Sequence, residues 1–136
     1  MYVDYSLYNV EGQEPEWVPE FKRCQQWLED ALEYSDGTFT IIDVADGVAM
    51  GHMQFWPGET AAAVTQVVEY PRKKVLHAFL LGGDLEGAVE LERKFVLWGK
   101  QQRCLAITLT GRMGWTKSFL KDIGYVGAHI SMSKEI

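Results

Sequence analysis

Residues 75–87, "VLHAFLLGGDLEG", run from an apolar segment through a Gly-Gly pair into a segment of helix formers. That order predicts a buried strand, a tight turn and a helix opening. Chains that cradle a phosphate use this layout, because the first amides of a helix lack partners and point at an anion. Here the residue opening the helix is Asp84, itself an anion. Aspartate is also a favoured N-cap, so the turn explains itself without any ligand.

The periodicity on either side extends the reading. Downstream, "DLEGAVELERKFVLWGKQQ" places Ala88, Leu91, Phe95 and Trp98 on one helical face. "CLAITLTG" follows as another buried strand. A helix separates it from "KKVLHAFLL", so the two strands are expected to run parallel through a right-handed crossover. Upstream, "AAAVTQVVEY" is rich in β-branched residues and ends at Pro71, which makes it a strand. The short "PR" junction pairs it with "KKVLHAFLL" as an antiparallel hairpin.

In the first half, "EFKRCQQWLEDALEY" carries Phe21, Cys24, Leu28 and Ala31/Leu32 at helical spacing, and Gly37 suits the left-handed position after a helix. "TFTIIDVADGVAMGHMQFWPG" admits two readings. Asp46-Gly47 between apolar runs could turn a hairpin. Thr40 with Asp43 three residues on resembles a capping box for a short helix ending at Gly51. The helix is preferred, with a strand at "HMQFW". Residues 1–20 hold Pro15, Pro19 and four glutamates among Tyr2, Tyr5, Tyr8 and Trp17. They read as an extended arm or edge strand that docks on its own domain or another chain. At the other end, "WTKSFLKDI" is a short helix stopped by Gly124, and "YVGAHISMSK" a closing strand. The expected architecture is α/β (α+β): a mixed, mostly antiparallel sheet flanked by helices, with one parallel β-α-β crossover. The organisation is an arm over residues 1–20 and one domain over 21–136.

Composition excludes several classes of function. At 136 residues, 47% apolar and 24% charged, the chain has the makeup of an ordinary globular domain. Apolar runs stop at four residues, as in "AFLL", where a membrane span needs roughly 20. The N-terminus lacks the basic start and apolar core of a secretion signal. Cys24 and Cys104 have no metal-type spacing and read as free thiols of a reducing compartment, with a single disulfide between them as the alternative. Net charge is −6, divided as −11 over residues 1–71 and +5 over 72–136. That balance argues against nucleic-acid binding; the basic half suits a small anion or a partner's acidic patch, or else the two halves complement each other within one fold. No metal-ligand cluster, Gly-x-Ser-x-Gly elbow or Gly-Lys-Ser/Thr phosphate loop is present.

With "EYPRKKVLHAFLLGGDLEG" and "GRMGWTKSFLKDIGY" in place, residues 20–134 resemble the GNAT family of acyl-CoA-dependent N-acyltransferases. These two segments look most like small GNAT-like proteins of tailed bacteriophages. The resemblance implies acetyl-CoA or another acyl-CoA as donor, and no metal. Its acyl arm would lie between splayed strands "VLHAFLL" and "CLAITLT". The cofactor-binding residues implied are Phe79, Leu81, Gly82, Gly83, Asp84, Gly87 and Arg112.

The chain departs from the family pattern at several positions. "DLEGAV" keeps Gly87 but sets Asp84 where a basic or amide residue belongs and Val89 at a small position. The tyrosine that gives a proton to the departing thiolate would fall at Leu120, and the usual asparagine at Met113. Tyr125 fills the aromatic position that packs. What remains for catalysis is a base. His77 stands mid-strand, alternating with Val75, Phe79 and Leu81, and Glu69 is a second, weaker candidate. Each also has a structural reading, as a satisfied core histidine and a solvated hairpin-end charge. Arg112, in "GRMGW", could clamp an anion, and Trp115 could wall a pocket. His52 and His129 are given no role.

Two functions follow from the resemblance. One is an acyl-CoA:amine N-acyltransferase acting on an amine or protein acceptor. The other is a catalytically silent GNAT-fold component of a phage virion or its assembly, partnered by phage structural proteins. The implied location is the host cytoplasm, or the virion.

Overall fold

The structure is a computed structural model that describes residues 1–110, 119–127 and 131–136. Four strands form one sheet in the order β1 (Gln54–Pro57), β2 (Ala61–Glu69), β3 (Lys74–Gly83), β4 (Ala106–Leu109). The β1–β2 and β2–β3 pairs are antiparallel, and β3–β4 is parallel. Helices α1 (Trp17–Leu32) and α2 (Ile41–Ala49) cover one face, and α3 (Leu85–Gln101), the crossover helix, covers the other. The expected mixed sheet with a single parallel crossover is the observed one.

Local chemistry explains where the helices start. The Thr40 hydroxyl accepts the Asp43 amide, and the Asp43 carboxylate accepts the Thr40 amide at 2.9 Å. This reciprocal capping box decides for α2 against the hairpin at Asp46-Gly47. Helix α1 begins at Trp17, ahead of the expected start at Glu20, and buries Val18, Phe21, Cys24 and Leu28. Full burial of a side chain such as Phe21 is worth about 1.5–3 kcal/mol. Ala88, Leu91 and Phe95 of α3 are buried as the spacing predicts, and Trp98 is half-buried beside them. Both cysteines are free thiols, and burial pushes the Cys24 thiol up.

Two expectations are corrected. The N-terminal arm is neither extended nor an edge strand. It forms a 3-10 turn at Tyr5–Tyr8 and docks on its own domain. Val3 is buried there, Tyr5 stacks edge-on against Phe21, and Tyr8 against Trp17. Hydrogen bonds from Tyr5 to Gln25 (2.6 Å) and from Tyr8 to Asp46 (2.7 Å) tie it to α1 and α2. The second correction is at the C-terminus. Residues 125–127 and 131–136 form no strand, and Ala128, His129 and Ile130 lie outside the described residues. The preceding helix is described only over Phe119–Asp122 (α4), ending at Gly124 with φ 100°. The Tyr125 amide reaches back to the Leu120 carbonyl at 3.0 Å, which closes the helix end.

The innermost strand carries a polar group that is fully satisfied. Thr65 is buried, accepts from the Trp56 indole at 3.0 Å and donates to the Gln54 side chain at 3.0 Å. Among the described residues no buried side-chain polar atom lacks a partner, and no helix is long and apolar enough to cross a membrane.

Candidate active site

The site is created by a mismatch between two neighbouring strands. β3 runs to Gly83, but β4 accompanies it only from Val75↔Ala106 to Ala78↔Leu109. Beyond Ala78, among the described residues, nothing pairs with that edge of β3. At the same point the β2–β3 register slips: Val64 faces Leu80 while Thr65 faces Ala78, which leaves Phe79 as an extra residue. A bulge of this kind bends the strand and re-aims its side chains.

The bulge also corrects the expected alternation. His77 and Phe79 face the α1 side, but Leu80 joins them in that core, and Leu81 turns to pack with the α3-side cluster.

A cleft of about 880 Å³ opens on the α1 side of this fork. Its floor is Gln66, His77 and Phe79, and its far end reaches Gly83 and Asp84. Trp27 from α1 and Phe39 from the α1–α2 connection wall it; the Phe39 and Phe79 rings meet edge-on at 4.7 Å. Arg23 fixes this wall: its guanidinium donates to the Gly58 carbonyl at 2.6 Å and to Glu20, and stacks over Trp27. Asp30, Glu33 and Asp36 stand on the lip.

His77 is half-buried, with Nδ1 2.9 Å from the Thr108 hydroxyl oxygen across the β3–β4 pair. Burial holds its pKa below the usual histidine value, and the hydrogen bond to the Thr108 backbone raises it in part. A neutral imidazole in an aromatic cleft can accept a proton from a bound amine. Glu69 sits at the hairpin end beside Lys74, at 3.9 Å, and does not line the cleft. Arg112 and Trp115 lie outside the described residues.

The phosphate-loop candidates come together at one end of the cleft, though their glycines face the protein itself. A Cβ on Gly82 would run into the Trp27 backbone, and one on Gly83 into Thr60 and Ala61. At Gly87 it would stand 2.6 Å from the Thr60 hydroxyl. Gly83 also has φ 107°, where side chains are strained. Asp84 caps α3: its carboxylate accepts the Gly87 amide at 2.8 Å and the Thr60 hydroxyl at 2.7 Å. These bonds, Thr60 first, hold the carboxyl below its usual range, so it is an anion. The cleft thus offers aromatic walls, whereas the helix opening already carries a negative charge of its own.

Leu120 is buried, and Tyr125 is half-buried with its hydroxyl donating to Glu92 of α3 at 3.2 Å. Burial pushes the Tyr125 phenol well up, so it packs and stays protonated.

No family model matches the chain, and no curated protein matches it in sequence. Solved structures do match in shape. The BH1408 protein of Bacillus halodurans, in tetramutant form, superposes with a TM-score of 0.63 at 16% identity, over 89% of this chain and 95% of that one. The aminoglycoside N-acetyltransferase AAC(6')-Iy, in complex with CoA, gives 0.62 at 10% identity over 88% of each chain. A Trypanosoma brucei acetyltransferase gives 0.57 at 12% identity, covering 82% and 94%. The fold is that of the GNAT acetyltransferases. At such identities the likeness extends to the fold alone. In this GNAT-like fold the β3–β4 fork, the bulge and the opening of α3 converge on one cleft.

Sequence reasoning named His77, Phe79, Leu81 and the glycines, and missed Trp27, Phe39, Gln66, Thr60 and Thr108. Thr108 did leave a signal: it is a polar residue inside the apolar run "CLAITL".

Proposed function

We propose that this chain is an N-acyltransferase that moves an acyl group from an acyl-CoA thioester to an amine, with His77 as general base. The observation that carries the proposal is the fork beyond Ala78 and Leu109, which opens beside the half-buried His77. The acyl arm enters the cleft, and the edge of β3 that is unpaired among the described residues offers backbone amides to the thioester carbonyl. The amine nitrogen attacks the carbonyl carbon, His77 takes its proton, and the C–S bond breaks. Leu120 cannot donate to the leaving thiolate, which takes its proton from the imidazolium or from solvent. Asp30, Glu33 and Asp36 at the lip favour an amine that carries positive charge. Phe79, Leu81, Gly82 and Gly83 flank the acyl arm. Gly87 keeps the opening of α3 close to Thr60, its amide being held by Asp84. The other amides opening α3 meet the pyrophosphate end, with Arg112 as its counter-charge and Asp84 opposing it.

The test is titration calorimetry with acetyl-CoA and free CoA, followed by a thiol-release assay over a panel of amines. Micromolar binding and amine-dependent thiol release are expected. Absence of heat and of any thermal shift at millimolar CoA would sink the proposal.

A second reading is favoured by the Asp84 cap and by glycines whose small size the fold itself requires. In it the chain is a silent GNAT-fold component of a phage virion or its assembly. Tyr2, Leu7 and Val10, exposed on the docked arm, would meet a structural protein. Its mark is the chain's presence in purified virions together with failure to bind CoA.

A further inference from the structure

We infer that Gln66 is a second substrate-binding residue on the cleft floor, which with His77 holds the acceptor nitrogen by two of its N–H groups and so selects a primary amine. The inference deepens the acyltransferase reading and rests on it for the reaction; amine binding itself does not.

β2 carries two adjacent polar side chains, Thr65 and Gln66, and the fold uses one of them. Thr65 shares the α3-side face with Ala63 and Val67, and the Trp56 indole and Gln54 side chain satisfy it. Gln66 points to the opposite face by strand alternation, where it is half-buried on the cleft floor. Among the described residues its carboxamide has no hydrogen-bond partner. Packing therefore gives no reason for a polar group here, and a ligand in the cleft does.

Gln66 is directly opposite His77 in the β2–β3 register. Side chains of such a pair share a face with Cβ atoms about 4.5–5.5 Å apart, so one ligand atom can touch both. On the other flank of His77, Nδ1 lies 2.9 Å from the Thr108 hydroxyl of β4. Gln66, His77 and Thr108 thus form a polar row across three strands. The β3 edge left unpaired beyond Ala78 is on the β4 flank, so an acyl group held there leaves the Gln66 flank to the acceptor. A neutral primary amine has two N–H groups and one lone pair. One N–H goes to His77, the other to the Gln66 oxygen, and the lone pair stays free to attack the thioester carbon. No internal bond fixes the carboxamide, so it turns its oxygen to the donor. An amine with an N-methyl group in place of that N–H leaves the oxygen unpaired, and this loss discriminates against it.

The test is ¹H–¹⁵N NMR of the labelled full chain, following the Gln66 side-chain amide, which its absence in Gln66→Met assigns. The probes are 2-phenylethylamine, butylamine and their N,N-dimethyl derivatives, titrated with and without CoA. At neutral pH each pair carries the same charge, but the dimethyl form keeps one N–H in place of three. Wild type is expected to shift the Gln66 signal on binding and to favour each primary amine by roughly tenfold in Kd, the worth of one hydrogen bond. Gln66→Met should bring that ratio near one, and Gln66→Glu, which keeps the acceptor oxygen, should preserve it. In turnover, Gln66→Met raises KM for the primary amine more than it lowers kcat and erases the preference over the N-methyl analogue. Amine binding that leaves the Gln66 signal in place overturns the inference, as does an unchanged ratio in folded Gln66→Met. So does failure of both primary amines to bind under either condition, or a Gln66→Met variant that loses acetyl-CoA affinity instead. Failure of wild type to bind CoA would remove the acyltransferase reading while the amine ratio still stands, so the two fail separately.

Discussion

The Thr60 hydroxyl and the Asp84 carboxylate are joined at 2.7 Å, and the same carboxylate oxygen accepts the Gly87 amide at 2.8 Å. One aspartate thus stitches the β1–β2 connection to the opening of α3. It also places a fixed negative charge where a pyrophosphate would approach. Stability of the helix opening and affinity for an anion are set against each other at this residue.

Asp84→Asn separates the two effects, because asparagine caps a helix as well as aspartate but carries no charge. Acetyl-CoA affinity in calorimetry is expected to rise roughly two- to fivefold, the usual weight of one charge at a helix end. The melting temperature should hardly move. Asp84→Ala should lower it. Since the folded carboxyl is held below its ordinary value, its contribution is present above the usual carboxylate range. It is lost as pH falls through the depressed folded value, and thermal melts of wild type and Asp84→Ala should converge there.

Gly83→Ala should cost about 1–3 kcal/mol in urea denaturation, since the position combines φ 107° with a Cβ 2.8 Å from that of Ala61. Gly37→Ala is the control. Its φ is 71° but nothing lies within 4 Å, so it should cost only about 1–2 kcal/mol. Equal losses would mean that the crowding around Gly83 is relieved without cost.

The docked arm should make the protein sensitive to alkali. Burial first, and Glu29 second, push the Tyr5 phenol from 10.0 to about 12. Its folded pKa is raised, so the contribution is complete below the unfolded value and disappears as pH rises through about 12. Ultraviolet titration should show Tyr5 ionising late, and Tyr5→Phe should weaken the alkaline loss of stability.

His77→Gln should reduce kcat/KM roughly 100- to 10,000-fold while leaving acetyl-CoA affinity intact. Burial depresses the folded pKa of His77, so the base is free at neutral pH. The rate should be level near neutrality and fall as pH drops through that depressed value. Stability follows the same sign: it is present above the ordinary histidine pKa near 6.5 and declines in acid. A rate that falls toward alkaline pH instead would assign the proton transfer to another group.

Much of the architecture was legible because it is written at short range. The Thr40–Asp43 capping box, the Asp84 cap and the i, i+3, i+4 faces of α1 and α3 depend on residues a turn apart. The arm was misread for a physical reason. Two prolines and four glutamates among aromatic residues suit an extended arm, but a 3-10 turn lets Tyr5 and Tyr8 reach Phe21 and Trp17 farther along the chain. The bulge at Phe79 was invisible in the same way, since a register slip belongs to two strands together.

By itself the sequence determined the buried faces of α1 and α3, the Asp84 cap, the β2–β3 hairpin and the parallel crossover, because hydrogen bonds and apolar periodicity along one segment specify them. The α2 segment stayed open between helix and hairpin until its capping box was seen. Tertiary structure alone decided that β4 stops at Leu109 while β3 continues to Gly83, and that Phe79 bulges. It also set His77 against Thr108, 31 residues away. Those relationships arise from strand register and from helices packed on both faces. Such packing minimises exposed apolar surface over the whole domain, and no local window of residues contains it.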